Sequence, residues 1–428
     1  MLQILCICIC GQAAWAQNYE SLRTRQITPP TEHYSLQRAE VRSAASYIVQ
    51  PDFPFTSIAL NVPPEASLQG AYLLVAQDTF FLREDAHQVA GDSIKQSQLI
   101  IFEAPQNTFT FFPAGIRGQV SFSLINAESG RSEVYSRLRE RHQKQAQAAP
   151  QDACSRPQLI PQSVWRAGLP APAYQRVETI VRHVIVHHSA GSNTSTDFVN
   201  TVRNIYLFHT QDRGWSDIGY NFLIARDGTI FQGRSFGDAS PESDDIRGAH
   251  FCGQNSGTIG VCMLGNYNTA VPTDTSIASL VRLLSWKLDK ENLQPFTTFP
   301  HPANNMLGVI AAHRNGCATE CPGDNLYVML DRIRLEVETY LKEVCTPSPP
   351  LAFKVYPVPA RDELSISLPE NREPSSFQLI NALGQSLEMT ASRQEENWKL
   401  DTTGMRAGFY VLRVSGLSFS YERKLLLY

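Results

Sequence analysis

Two histidines close a beta-branched run, VIVHHSA at 184–190. A third histidine and a cysteine flank a Gly/Asn/Thr-rich turn in AAHRNGCATECPGD at 311–324. Imidazole and thiolate are donors that borderline-soft zinc accepts, and a catalytic zinc takes three protein ligands and keeps a fourth position open. His187 on a strand, with His313 and Cys321 on a loop, could therefore converge on one ion. The spacing fits a closed structural metal site equally well, or a disulfide made by Cys321. Cys317 and Cys321 form C-x3-C, which admits a two-cysteine clamp, although a disulfide or spare thiol is the better reading for Cys317.

These side chains need elements to hold them. In VRHVIVHHSA (181–190) a period of two puts His183, Ile185 and His187 on one face of a strand and Val184, Val186 and His188 on the other. Thr196 or Asp197 caps a helix whose stripe is Val199, Val202, Ile205, Tyr206 and His209. His209 there reads as a core or groove histidine. GWSDIGYNFLIARDGTIFQGR (214–234) is a hairpin turning at Asp227-Gly228, with Tyr220 at the start of its first strand, where a side chain can point into a cleft. A loop, GAHFCGQNSG (248–257), leads to a buried strand at 258–267. An amphipathic helix over 277–291, a short strand at 308–314 and a last helix over 324–341 follow. This stretch predicts a mixed alpha/beta domain.

The flanking regions differ. Residues 2–17 are apolar and end in Ala14-Trp15-Ala16, a small-x-small cleavage pattern that reads as a secretory signal over 1–16. That stretch is too short for a stable membrane span, and no other segment offers one. Residues 17–50 are polar and read as an exposed lead-in. Several short strand candidates between 53 and 125, punctuated by proline and glycine, predict an all-beta, sandwich-like accessory domain over 17–130. Its aromatics Phe80, Phe81, Phe109, Phe111 and Phe112 could form a ligand platform, but a core role is the stronger reading. A solvated helical linker covers 131–153, the alpha/beta domain 154–345 and a stiff linker 346–351. A compact beta module completes the chain over 352–428.

The whole chain has 428 residues, 18% charged, with a formal net charge of -4, a balance with little to attract nucleic acid or an anionic membrane. Of its nine cysteines, Cys6, Cys8 and Cys10 lie in the signal segment. If Cys321 binds metal, the remaining five allow at most two disulfides and one free thiol.

The four blocks VIVHHSA, GWSDIGYNFLIARDGTIFQGR, GAH...NSGTIGVCMLGNY and AHRNGCATECPGDNLY, in that order, resemble the zinc amidases of the peptidoglycan-recognition-protein and phage-lysozyme type over 160–341. The resemblance implies a mixed central sheet flanked by helices, with a zinc cleft. It implies one zinc ion on His187, His313 and Cys321, a catalytic Tyr220, and Thr319 where phage-type members have lysine. It also implies hydrolysis of the amide between N-acetylmuramic acid and L-alanine, or, as the alternative, peptidoglycan binding without cleavage. His188, His209, Trp215, Arg234, His250 and Asn255 lie where that cleft would meet substrate. His188 and His250 are candidates for the general acid, with strand parity against His188. The usual GRP after the tyrosine block is Gly233-Arg234-Ser235 here. The segments VYPVPARDELSI (355–366), LINALGQ (379–385), MRAGFYVLRV (405–414) and the terminal KLLLY resemble the sorting domain of the type IX secretion system of Bacteroidetes. That implies a beta-sandwich sorting module, partnership with this machinery and a secreted or cell-surface location. The expected partner at the cleft is peptidoglycan or its muropeptides, and the expected state is a monomer.

Overall fold

The structure, a computed structural model, describes residues 19–43, 45–85, 93–127, 154–173, 176–235, 245–345, 353–368, 373–394, 397–416 and 419–428. The signal over 1–16 and the helical linker over 131–153 lie outside the described residues. The chain up to Cys345 forms one compact unit and the chain from Thr346 a second.

The N-terminal strands are β1 (Tyr19–Ser21), β2 (Arg25–Gln26), β3 (Tyr34–Val41), β4 (Ser46–Val49), β5 (Phe55–Val62), β6 (Tyr72–Val75), β7 (Asp78–Phe81), β8 (Lys95–Gln96), β9 (Ile100–Gln106), β10 (Phe109–Phe112) and β11 (Gly118–Ile125). One sheet runs β1-β4-β10-β6-β7 and the other β2-β3-β11-β5-β8, with β9 also on β5. Residues from both sheets share one apolar core that includes Val49, Phe55, Ile58, Leu73, Phe111 and Phe122. The expected exposed lead-in over 17–50 is corrected here, because four strands fall within it. In β3 the inward positions Ser35 and Gln37 are polar yet buried. Gln26 and Thr24 hydrogen-bond them, so the strand reads as solvated although it is not. Phe109 and Phe111 are core, whereas Phe81 is exposed and Phe112 stacks on Tyr72 with centroids 4.1 Å apart.

The central strands are β12 (His183–His188), β13 (Phe222–Ile224), β14 (Ile230–Gln232), β15 (Thr258–Met263), β16 (Thr298–His301), β17 (Asn304–Gly308) and β18 (Ile310–Ala312). The helices are α1 (Gln162–Trp165), α2 (Phe198–Leu207), α3 (Asp274–Glu291), α4 (Asp324–Tyr327) and α5 (Leu330–Glu343). Five strands form a sheet in the order β14-β13-β15-β12-β18. β12 is parallel to both β15 and β18, and the hairpin β13–β14 supplies the antiparallel pair. Both faces are covered, which is why β12 and β15 are buried throughout. Val184, Val186, Val261 and Met263 meet α3 and α5 on one face. Cys262 and Leu223 meet α2 on the other. Asp197 caps α2, its side chain accepting from the Asn200 N–H. The single helix expected over 324–341 is two, α4 and α5, separated at Val328–Met329, where Val328 is exposed.

The sandwich is joined to the central sheet rather than tethered beside it. Ala59, Ile125 and Ala127 belong to the same apolar cluster as Trp165, Val202 and Tyr206. Arg203 on α2 is buried, and its guanidinium donates to the carbonyls of Ala127, Trp165 and Ala167 at 2.9–3.0 Å. Replacing it by methionine leaves buried carbonyls short of donors, a loss on the order of 3 kcal/mol. Denaturation of the full chain should show the transition of the larger unit shifted to lower denaturant and that of the C-terminal unit unmoved.

The C-terminal strands are β19 (Lys354–Tyr356), β20 (Glu363–Ser367), β21 (Pro374–Asn381), β22 (Ser386–Met389), β23 (Ala391–Gln394), β24 (Asn397–Asp401), β25 (Gly408–Gly416) and β26 (Phe419–Leu427). They make two four-stranded sheets, β19-β20-β24-β23 and β22-β21-β25-β26. Leu364, Ile366, Leu379, Leu400, Leu412 and Val414 fill the core between them.

Candidate metal centre

His187 ends the inner face of β12, and His313 and Cys321 follow β18. All three are buried, and their candidate ligand atoms lie within 4.8 Å of one another. Cys321 Sγ stands 3.7 Å from His187 Nδ1. A tetrahedral zinc with bonds of about 2.3 Å to sulfur and 2.0–2.1 Å to nitrogen separates those donors by about 3.5 Å, so the set fits such an ion. Among the described residues the disulfides are Cys154–Cys345 and Cys252–Cys317, with Cys262 and Cys321 as free thiols. Cys321 is therefore not spent on a disulfide, and Cys317 is a disulfide partner. Burial pushes the Cys321 thiol up to about 12, so ionising it at neutral pH calls for a cation beside it. The backbone N–H of His188 points at its sulfur from 3.4 Å.

The loop is shaped before any ion arrives. Arg314 N–H donates to Cys321 O, Cys317 N–H donates to His313 O, and the Cys252–Cys317 bond ties the loop to its neighbour. Thr319 accepts the Cys321 N–H at 3.1 Å and is half-buried.

A second layer orients His187. Its Nε2 lies 3.0 Å from His250 Nδ1, His250 Nε2 lies 3.4 Å from Thr258 Oγ1, and Thr258 donates to the Asn255 carbonyl at 3.0 Å. One set of tautomers satisfies the whole chain: His187 and His250 each donate through Nε2–H, which leaves His187 Nδ1 turned toward Cys321. An outer partner of this kind fixes ring orientation and raises ligand basicity. Gly260 on β15 makes room for it, since a Cβ there would stand 2.6 Å from His250 Cγ. Asn255 holds the loop, accepting from the N–H groups of His250 and Phe251.

The other expected residues divide by position. Tyr220 is buried with its ring 5.3 Å from that of His187. Burial and the nearby Cys262 and Cys321 sulfurs push its phenol well above the ordinary range, so it stays a proton donor at neutral pH. The His209 ring lies tilted against half-buried Trp215 at 4.6 Å and against Tyr220 at 5.7 Å, and its Nδ1 accepts the Gly219 N–H. His188 is buried on the opposite face of β12, where its Nδ1 accepts the Tyr267 N–H. Arg234 is buried, and its guanidinium donates to the carbonyls of Ile218 and Asp217. His250, expected at the substrate, is buried behind His187.

Asp217, which sequence reasoning did not single out, sits between Trp215 and Tyr220 in the loop before β13. Its Oδ1 accepts from the Ile218 N–H and from Gln162, while its buried Oδ2 has no hydrogen-bond partner among the described residues. Burial raises its carboxyl from 3.8 to about 6, against the attraction of Arg234. The folded state thus holds an extra proton between about pH 4 and 6, and stability falls as pH rises through that window, by on the order of 2–3 kcal/mol. Asp217→Asn should flatten the pH dependence of the melting temperature there.

Two imidazoles and a thiol at the end of a mixed sheet give this domain a candidate metal centre. Residues 177–324 match the N-acetylmuramoyl-L-alanine amidase family, and residues 354–428 match the secretion system C-terminal sorting domain family. Peptidoglycan-recognition protein SC2 of Drosophila melanogaster is 32% identical over 172 residues, 40% of this chain and 82% of that protein. Peptidoglycan recognition protein 1 of Mus musculus is 31% identical over 176 residues, 40% of this chain and 85% of that protein. Among solved structures, the endolysin N-acetylmuramoyl-L-alanine amidase LysCS from Clostridium intestinale is 26% identical, covers 40% of this chain and 91% of its own, and superposes with a TM-score of 0.30. The chain belongs to the peptidoglycan-recognition-protein family, with an N-acetylmuramoyl-L-alanine amidase domain and a C-terminal sorting domain.

Proposed function

We propose that this chain is a secreted, zinc-dependent amidase that hydrolyses the bond between N-acetylmuramic acid and L-alanine in peptidoglycan. The observation that carries the reading is the convergence of three buried donors, His187, His313 and Cys321, inside a domain of the amidase family. When bound, the zinc ion supplies Lewis acidity toward a carbonyl and lowers the pKa of a water toward neutrality. The protein's own groups do the rest. His250 holds His187 in the tautomer that turns Nδ1 inward. Tyr220, kept protonated, donates a hydrogen bond to the oxygen on which charge develops at the attacked carbonyl. The Thr319 hydroxyl, whose lone pair accepts the Cys321 N–H, offers its proton to the substrate. His250, hydrogen-bonded to His187 and Thr258, serves as an orienting group.

The rest of the reading concerns delivery. Residues 1–16 act as a signal peptide, 17–130 as an accessory domain, 131–153 as its linker and 154–345 as the amidase domain. Residues 346–351 link it to the sorting domain, 352–428, which directs a monomer through the type IX machinery to the surface of a Bacteroidetes-type cell or beyond. No described helix is long and apolar enough to cross a membrane.

A second reading is favoured by the relatives named recognition proteins: binding of peptidoglycan without cleavage. Mass spectrometry of muropeptides incubated with the full chain separates the two. The amidase reading predicts free peptide stems and stem-less sugars, both absent with chelator. Retention of muropeptide with no new amino termini supports the binding reading.

A further inference from the structure

The N-terminal sandwich has no part in the chemistry described so far, yet it reaches the metal centre's rim. β7 ends at Phe81, and the chain that follows is held by the sandwich and, through Asp85, by the central domain. There Arg83 N–H donates to Gln98 Oε1, Asp85 N–H donates to the Gln96 carbonyl, and the Asp85 carboxylate pairs with Arg213. Arg213 follows the turn that carries His209. Asp212, its neighbour, accepts from Tyr34, Gln96 and Ser123 of the sandwich. These bonds fix residues 82–85 against the domain that holds the metal ligands.

A cavity of about 350 Å³ opens at this junction, lined by Arg83 from the sandwich and by Asn268, Arg314, Thr319, Glu320 and Asp324 from the central domain. Thr319 connects it to the metal centre through its bond to Cys321 N–H. Arg314 is engaged by Asp324 at 2.7 Å, and the Glu320 carboxylate accepts from Asn268 at 3.0 Å. Arg83 is exposed, and its guanidinium has no hydrogen-bond or ion-pair partner among the described residues. The cavity thus combines an Arg314–Asp324 ion pair and an amide-bound Glu320 with an Arg83 guanidinium whose planar donor fork is open, a group suited to bidentate capture of a carboxylate.

We infer that this cavity is a subsite for the peptide stem and that Arg83 is a specificity-determining residue that takes a carboxylate of that stem. The inference rests on the proposed amidase function. The stem is joined to the sugar through its amino end, so an uncrosslinked stem carries a free carboxylate at the other end. The volume lies at the small end of ligand pockets, about 300–1,000 Å³, which suits a short peptide rather than a glycan strand.

The test compares the full-length protein with Arg83→Gln and Arg83→Lys on two muropeptides, one ending in a carboxylate and one in a carboxamide. The expected result is a KM raised about tenfold by Arg83→Gln on the carboxylate substrate, with partial recovery in Arg83→Lys. On the same substrate kcat should stay within about twofold, and the carboxamide substrate should not distinguish the variants. An unchanged KM on the carboxylate substrate, or an equal rise on both, overturns the proposal. Calorimetry of the free stem peptide on chelator-treated protein keeps the two claims apart. Arg83-dependent binding in a chain that cleaves nothing sustains the subsite and removes the amidase reading. Arg83-independent binding in a chain that cleaves removes the subsite alone.

Discussion

Cys321→Ala should abolish release of peptide stems while leaving the fold intact. Removing an outer-layer partner of a metal ligand typically costs 10–100-fold, and losing one of only three direct ligands costs more, so the rate should fall by more than about 100-fold. The fold should survive because the loop has other anchors. Cys317 is bonded to Cys252, Arg314 N–H donates to the carbonyl of residue 321, and His313 O accepts from Cys317 N–H. None of these uses the Cys321 sulfur. Near-native circular dichroism together with lost cleavage checks the two halves of the prediction. A folded Cys321→Ala chain that still releases stems removes Cys321 from the centre.

The second large effect is expected at His250. Its ring touches His187 at 3.0 Å and is seated over Gly260. His250→Ala frees His187 to rotate and change tautomer, which should lower activity or metal affinity by 10–100-fold. His250→Gln keeps an acceptor within reach of His187 Nε2 and should recover part of the loss. A merely structural role predicts something else: a lowered melting temperature, with the metal dissociation rate unchanged. Metal release to a chromophoric chelator, followed for both variants, distinguishes the two.

How much of this was legible in the sequence depends on what each residue type can conceal. The parity of β12 follows from its beta-branched alternation, and it separates His187 from His188 as the structure does. The set His187, His313 and Cys321 came from the ordered blocks around it, since the spacing alone suited a structural site or a disulfide as well. The role of His250 was not visible, since its partner lies 63 residues away and the enabling feature is the missing Cβ of Gly260. The bonds from the Arg234 guanidinium to the carbonyls of Ile218 and Asp217 also left no mark in the sequence. β3 read as solvent-exposed because its inward positions include Ser35 and Gln37, which satisfy one another and their neighbours inside the sandwich. The contact between sandwich and amidase sheet was hidden for the same reason. Arg203, Asp212 and Asn204 look like ordinary surface residues of a helix and its end until their partners arrive from more than 70 residues away.

X-ray absorption at the zinc edge of the purified, metal-loaded chain tests the account most directly. The account predicts one zinc per chain, one sulfur at about 2.3 Å and nitrogen or oxygen neighbours at about 2.0–2.1 Å, two of them imidazole, with the sulfur lost in Cys321→Ala. A first shell without sulfur, or one in which four protein ligands close the site, contradicts it.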